Sequence, residues 1–135
     1  MESIEVIRHS AAHVMAAAVC RLYKDVKLDI GPSTEDGFYY DFDLAHRLSP
    51  EDFPKIEAEM RSILQAGLPF ERLEVTREEA VRVFAGQPYK LGRLADIPEG
   101  ETVSLYRCGD FVDLCRGPHV AKTSDVGAVK LTAVA

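Results

Sequence analysis

Residues 3–24, with the sequence SIEVIRHSAAHVMAAAVCRLYK, predict an α-helix that buries one face. Apolar side chains recur every three or four residues, which is the spacing of an amphipathic helix. They are Ile4, Ile7, Ala11, Val14, Met15, Ala18, Val19 and Leu22. Ser3 is suited to cap the first turn. His9 and His13 are four residues apart, so their imidazoles project from the same side of the helix, beside the apolar face.

The rest of the chain predicts short strands mixed with further helices. In chain order these are a hairpin with its turn near Ser33–Gly37, a helix from Pro50 to about Ala66, a strand at 69–75, a short helix from Thr76 to near Gly86, a loop or short helix at 88–100, and strands at 102–107, 110–115 and 126–134. Helices and strands do not alternate regularly, which favours an α+β fold with a mixed or antiparallel sheet covered by helices.

Length and composition indicate one globular domain over residues 1–135, with 47% hydrophobic and 28% charged residues. No apolar stretch approaches the roughly 20 residues of a membrane span, so we expect a cytoplasmic protein without a membrane partner. The three cysteines are too few and irregular for a secreted disulfide framework. A net charge of −6 argues against a domain that binds long stretches of nucleic acid.

The segment CRGPH, residues 115–119, follows the strand predicted at 110–115. Gly117 and Pro118 favour a tight turn, so Cys115 and His119 should lie on one side of a rigid corner. With His9 and His13 they would supply three imidazoles and a thiol, which are ligand types of a tetrahedral zinc ion. Either pair alone is also common in purely structural positions. Their combination indicates a shared site.

Four motifs carry a resemblance that covers nearly the whole chain: IRHSAAHVMAAAV, DIGPSTEDGFYYDFD, PYKLGRL and FVDLCRGPHV. In this order and spacing they resemble the editing domain of bacterial threonyl-tRNA synthetase. Alanyl-tRNA synthetase and freestanding alanyl-tRNA editing proteins share that domain. The GFYYD motif and the lysine of PYK favour the threonyl branch.

The resemblance implies an aminoacyl-tRNA deacylase that hydrolyses serine wrongly esterified to threonine tRNA, with no aminoacylation activity in this stretch. One methyl group gives only about 1–3 kcal/mol of discrimination, which is why a second, hydrolytic site is needed. The implied catalytic residues are His9, His13, Lys90, Asp113, Cys115 and His119, and the implied substrate-binding residues are Gly31, Tyr40 and Arg116.

Several of these residues also have simpler interpretations. Tyr40 could pack within a strand, and Lys90 could be a solvated surface charge. Asp113 alternates with Val112 and Leu114 and could therefore face solvent. Gly31 would let a ligand approach the backbone closely.

Alanine-editing relatives use the positions of His9, His13, Cys115 and His119 for zinc. Four protein ligands would close a tetrahedral site and leave no position for a water molecule. We therefore expect a reaction that requires no cofactor, with zinc as the alternative. In the metal-free version His9 or His119 is the general base.

Two other functions stay open, namely a non-catalytic zinc or tRNA-acceptor-binding module and an alanyl-tRNA editing hydrolase. The expected partner is a tRNA acceptor end that carries a mischarged amino acid. The final residues, VKLTAVA, end about where the family's chain would continue, which favours an excised domain. The remainder of a threonyl-tRNA synthetase is then a second expected partner.

Overall fold

A computed structural model describes residues 3–134, so Met1, Glu2 and Ala135 of the predicted domain lie outside the described residues. The elements are α1 (Ile4–Leu22), β1 (Lys27–Leu28), β2 (Phe42–Asp43), α2 (Phe53–Ala66), β3 (Glu71–Val75), α3 (Arg77–Val83), α4 (Pro88–Ala95), β4 (Val103–Cys108) and β5 (Phe111–Leu114). Short 3₁₀ turns precede α2 and follow β5. The α+β class predicted from the sequence is confirmed. No helix among residues 3–134 is long and apolar enough to cross a membrane.

Both sheets are antiparallel. Strands β1 and β2 form a two-stranded ladder, and β3, β4 and β5 form a three-stranded sheet in that order. In the larger sheet Tyr106 of β4 lies between Arg72 of β3 and Asp113 of β5. Because side chains alternate across a strand, Tyr106 and Asp113 share one face, and Leu105 and Leu114 share the other.

The strand predicted at 126–134 is wrong. This segment has no regular structure and follows the 3₁₀ turn Thr123–Asp125. Its apolar residues, Val126, Val129 and Leu131, pack on the core formed around α1 and α2. The backbone N–H of Leu131 donates to the Glu57 carboxylate at 2.8 Å. The alternating pattern therefore reflects contact with helices and not pairing with another strand.

Helix α1 is buried around most of its circumference in its middle turns. Ser3 caps it as predicted, accepting a hydrogen bond from the Val6 N–H. All of residues 10–14 and 16–19 are buried, which is more than the single buried face predicted. Most of these residues are alanines, whose small side chains let neighbouring segments approach the helix axis from several directions. Helix α2 packs on α1 through Ile56, Met60 and Ile63.

The segment predicted as a loop or short helix forms helix α4. Side chains in and just before α4 bond to the hairpin, and one of them bonds its backbone groups as a neighbouring strand would. The amide of Gln87, just before α4, accepts from the Leu28 N–H at 2.8 Å and donates to the Val26 carbonyl at 2.9 Å. Arg93 also forms a bidentate contact with Asp29. These contacts hold Lys90, in the middle of α4, against the hairpin.

Gly31 and Tyr40 lie opposite each other in the hairpin and are in very close contact. A Cβ atom added at Gly31 would overlap Cδ2 of the Tyr40 ring. The absence of a side chain at Gly31 thus leaves room for the Tyr40 ring. The sequence had suggested that this space is for a ligand. Gly37 lies in the turn of the same hairpin, and a Cβ atom added there would have no other residue within 4 Å.

Gly31→Ala is expected to destabilise the protein by about 1–3 kcal/mol, because the added methyl overpacks the Tyr40 ring. Gly37→Ala is the matched control, and its free energy of unfolding should change by less than about 1 kcal/mol in either direction. Urea denaturation of both variants measures the difference. Equal effects of the two substitutions would contradict the packing role of Gly31.

Candidate active site

The structure brings His9, Cys115 and His119 together from opposite parts of the chain. His9 lies on α1, Cys115 directly follows β5, and His119 lies beyond the Gly-Pro corner. The sulfur of Cys115 is 3.5 Å from His9 Nε2 and 3.3 Å from His119 Nε2. The His9 and His119 ring centroids are 4.6 Å apart. The predicted convergence of the first helix and the late corner is therefore present.

These three side chains have the geometry of a metal-binding group. One ligand atom from each lies within 4.8 Å of the other two, and within residues 3–134 this is the group that meets that condition. Zinc bonds of about 2.0–2.3 Å to nitrogen and sulfur would fit such separations. Three protein ligands would leave a fourth position open, as catalytic zinc sites require.

His13 lines the same pocket but is not among the three residues whose ligand atoms all lie within 4.8 Å of one another. Its ring lies 5.2 Å from that of His119, with edge contacts to Phe70 and Phe111 at 5.2 and 4.8 Å. The side chain is buried, and its Nε2 atom has no hydrogen-bond partner among the described residues.

A second group joins Lys90, Asp113 and Tyr40, and all three side chains are buried. Lys90 Nζ lies 2.5 Å from Asp113 Oδ1, and the Tyr40 hydroxyl donates to Asp113 Oδ2 at 2.8 Å. Lys90 Nζ also lies 5.5 Å from the centre of the Tyr40 ring. The solvent-facing alternatives for Lys90 and Asp113 are therefore wrong. Asp113 faces inward because it shares the Tyr106 side of the sheet.

Both groups line one pocket of about 300 Å³. Its wall includes every residue that the sequence proposed for the site: His9, His13, Gly31, Tyr40, Lys90, Asp113, Cys115, Arg116 and His119. Arg116 is at the rim, with 84% of its side chain exposed and Glu101 at 3.5 Å. A volume near 300 Å³ is at the small end of ligand sites.

A larger groove of about 550 Å³ lies elsewhere, between α3 and the loop before β4. Its lining includes Glu74, Glu78, Glu79, Glu99 and Glu101, and it contains no imidazole or thiol. This groove lacks the catalytic groups that the smaller pocket gathers, and its charge would repel a polyanion.

Sequence reasoning did not find the side chains that surround His119. Ser10 Oγ lies 3.0 Å from His119 Nδ1, the Tyr106 ring meets the imidazole edge-on at 4.5 Å, and Phe70 stacks on it at 5.0 Å. Gly117 has φ +76°, and a Cβ there would overlap the Tyr106 hydroxyl. Ser10 is next to His9 in the sequence, but only the tertiary fold shows that it faces His119.

Burial keeps the reactive side chains uncharged at neutral pH. It lowers the pKa of His13 and of His119 to about 3, with smaller contributions from neighbouring positive charges. Burial also lowers the pKa of His9, an effect that Asp113 opposes. It raises the pKa of the Cys115 thiol to about 11. In the metal-free protein the imidazoles are therefore neutral, each with one unprotonated nitrogen, and Cys115 is a thiol.

Comparison with known proteins gives matches to aminoacyl-tRNA synthetases. The family model described as "Threonyl and Alanyl tRNA synthetase second additional domain" matches residues 103–134. A threonine–tRNA ligase from Dehalococcoides mccartyi strain BAV1 is 53% identical over 135 residues, which are 100% of this chain and 23% of that protein. Over its whole length the chain is therefore similar to the N-terminal region of bacterial threonine–tRNA ligases.

Other threonine–tRNA ligases give similar matches. The ligase from Geobacillus kaustophilus is 52% identical over 98% of this chain and 21% of its own length. The ligase from Clostridioides difficile is 54% identical over 99% of this chain and 21% of its own length. The chain thus spans between 21% and 23% of the length of these relatives.

Asp113→Asn is expected to destabilise the protein by about 3–5 kcal/mol, because it leaves the buried Lys90 charge without its counter-ion. The double variant Lys90→Met, Asp113→Leu should recover much of this loss. Glu71→Gln is the control, since it breaks an exposed ion pair with Arg107 and should cost less than about 1 kcal/mol. Chemical denaturation measures all three. Similar losses for Asp113→Asn and Glu71→Gln would contradict the buried pair.

The burial of His13 predicts a pH dependence of stability in the metal-free protein. The unfolded chain protonates His13 near pH 6.5, whereas its pKa in the folded state is about 3. Between these values the unfolded state binds more protons, so the free energy of unfolding falls as the pH decreases. Each such histidine contributes up to about 1.4 kcal/mol per pH unit.

His13→Leu should make the decline between pH 6 and pH 5 shallower by about 1 kcal/mol per pH unit. Urea denaturation of chelator-treated protein at several pH values measures this slope. Identical slopes for the variant and the unmodified protein would mean that His13 is protonated in the folded state.

Proposed function

We propose that this chain hydrolyses the ester bond of serine wrongly attached to threonine tRNA. The single observation that carries the proposal is the pocket in which His9, Cys115 and His119 meet the Lys90–Asp113–Tyr40 group. The relatives are named threonine–tRNA ligases, which supports a tRNA that accepts threonine as the partner. The tRNA acceptor end with its mischarged amino acid would then enter this pocket, within a longer synthetase.

Ester hydrolysis needs a group that takes a proton from the attacking water. His9 and His119 both present Nε2 atoms next to Cys115 Sγ, and burial keeps both imidazoles neutral. As the water oxygen bonds to the ester carbonyl carbon, its proton passes to one of these nitrogens. The bond between this carbon and the ribose oxygen then breaks, and the ribose oxygen receives the proton. The histidine is regenerated in its neutral form.

Lys90 is suited to stabilise the negative charge that develops on the carbonyl oxygen. Its ammonium group is buried and lines the pocket, where an electrostatic interaction is stronger than in water. Asp113 and Tyr40 hold this group in place before the substrate arrives. The Asp113 carboxylate is also a suitable acceptor for the α-amino group of the aminoacyl ester.

A zinc ion is compatible with this site but is not needed for the steps above. His9, Cys115 and His119 would hold it, with one position open. When bound there, zinc would polarise the ester carbonyl or lower the pKa of a water molecule. Whether the hydrolysis requires metal is therefore decided by measuring the activity of chelator-treated protein.

Single-turnover deacylation of seryl-tRNA that carries the threonine anticodon tests the proposal. The chain should release serine, and threonyl-tRNA should be hydrolysed about 10–200-fold more slowly because of its extra methyl group. His9→Ala or His119→Ala should lower the rate by about 10²–10⁴-fold. His46→Ala is the matched control, since this fourth histidine lies outside the pocket and should leave the rate unchanged.

Two further arms separate the alternatives. Alanyl-tRNA hydrolysed faster than seryl-tRNA would instead support an alanyl-tRNA editing hydrolase. If His9 or His119 activates the water without metal, chelator-treated protein should keep full activity. Metal analysis of the treated protein confirms that the metal has been removed. Stoichiometric metal without turnover at any concentration of the chain would support a binding module and overturn the proposal.

A further inference from the structure

The hydroxyl group of Ser10 lies at the junction between α1 and the segment after the Gly-Pro corner. Ser10 is fully buried and has three polar neighbours. Its Oγ atom is 2.8 Å from the Val6 carbonyl oxygen, 3.1 Å from the Val120 backbone nitrogen and 3.0 Å from His119 Nδ1. Ser10 does not line the pocket, so it contacts His119 Nδ1 from the side of the imidazole that faces away from the pocket.

The chemistry of these neighbours decides where the proton of His119 lies. A serine hydroxyl donates one hydrogen bond and accepts two. The Val6 carbonyl can only accept, and the Val120 N–H can only donate. If His119 carries its proton on Nδ1, Ser10 donates to Val6 and accepts from Val120 and His119, so all three contacts are hydrogen bonds. If the proton is on Nε2, two acceptors compete for one hydroxyl proton, and one buried contact is left unbonded.

We propose that Ser10 is a positioning residue that holds neutral His119 in the Nδ1-protonated tautomer and so presents the Nε2 lone pair to the pocket. Its effect on catalysis rests on the proposed function, whereas the tautomer itself does not. The same tautomer is suited to metal-free hydrolysis and to hydrolysis with a bound zinc ion. Nε2 is the atom that would accept the water proton, and it is also the His119 nitrogen that lies 3.3 Å from Cys115 Sγ.

The contacts on the other side of the ring agree with this assignment. His119 Nε2 is 3.3 Å from Cys115 Sγ, and the sulfur accepts from the Gly117 N–H at 3.2 Å. With a lone pair on Nε2, the Cys115 thiol can donate its proton there. Phe70 stacks on the imidazole and Tyr106 meets it edge-on, so the plane of the ring is fixed between Ser10 and Cys115.

Nitrogen NMR of the ¹⁵N-histidine-labelled chain at pH 8, after chelator treatment, tests the tautomer directly. Ordinary imidazoles are neutral at this pH, and the two neutral tautomers give different shifts for the protonated and unprotonated nitrogens. The chain has four histidines, and His119→Gln identifies the signals of interest. In the unmodified protein Nδ1 should carry the proton. A His119 protonated on Nε2 would overturn the inference, whatever the activity.

Ser10→Ala removes the acceptor for Nδ1–H and should shift His119 towards the Nε2-protonated form. The deacylation rate should fall about 10–100-fold, as is typical for partners of this kind, and Ser10→Thr should restore both the rate and the tautomer. Thr123→Val is the matched control. Thr123 is an equally buried hydroxyl that bonds the Ile63 carbonyl and the Leu68 N–H, and its loss should leave the His119 signals unchanged.

The outcomes separate this inference from the proposed function. An Nδ1-protonated His119 in a protein that does not deacylate seryl-tRNA would support the positioning role of Ser10 and reject the function. An Nδ1-protonated His119 that persists in Ser10→Ala would overturn the positioning role. If Ser10→Ala does not fold, the tautomer of the unmodified protein and the Ser10→Thr variant decide the question.

Discussion

The buried carboxylate of Asp113 is the interaction on which both the fold and the site depend. It forms an ion pair with Lys90 of α4 and accepts a hydrogen bond from Tyr40 of the hairpin, while β5 carries it at the edge of the three-stranded sheet. Three elements that are distant in sequence are thus connected through one side chain. A buried carboxylate is costly unless it is paired and hydrogen-bonded, so this arrangement is stable only when all three elements are in place. The pocket therefore forms together with the fold.

The charge state of the pocket follows from the same burial. The Lys90–Asp113 pair has no net charge, the thiol of Cys115 retains its proton and the imidazoles are neutral. Such a pocket does not attract a polyanion strongly by itself, and the chain as a whole carries a charge of −6. On the proposed function, affinity for tRNA would have to come mainly from other parts of the longer relatives. The pocket would contribute the chemistry and the selection of the amino acid.

The sequence was sufficient to predict the parts of the site that depend on local periodicity or on a motif. Two histidines four residues apart on a helix share a side, and a Gly-Pro corner brings Cys115 near His119. The failures concern contacts that only the tertiary fold creates. The apolar residues from Val126 onward pack on helices and not in a sheet, and the edge contacts of His13 with Phe70 and Phe111 were not predicted. Ser10 had no sequence signal, because its partners His119 and Val120 are more than a hundred residues away.

Rigidity of the pocket wall connects this packing to selectivity. A site that must reject one methyl group can do so only if its wall does not move aside, since the full difference available is about 1–3 kcal/mol. Two glycines give the wall this property. Gly31 allows the Tyr40 ring to lie against the backbone, and Gly117 does the same for Tyr106, which in turn holds His119. Because each aromatic ring is already in contact with the main chain, it cannot retreat without breaking the Tyr40–Asp113 hydrogen bond or displacing the imidazole. On the proposed function, a larger aminoacyl group would therefore meet a wall whose movement disturbs the reactive groups themselves.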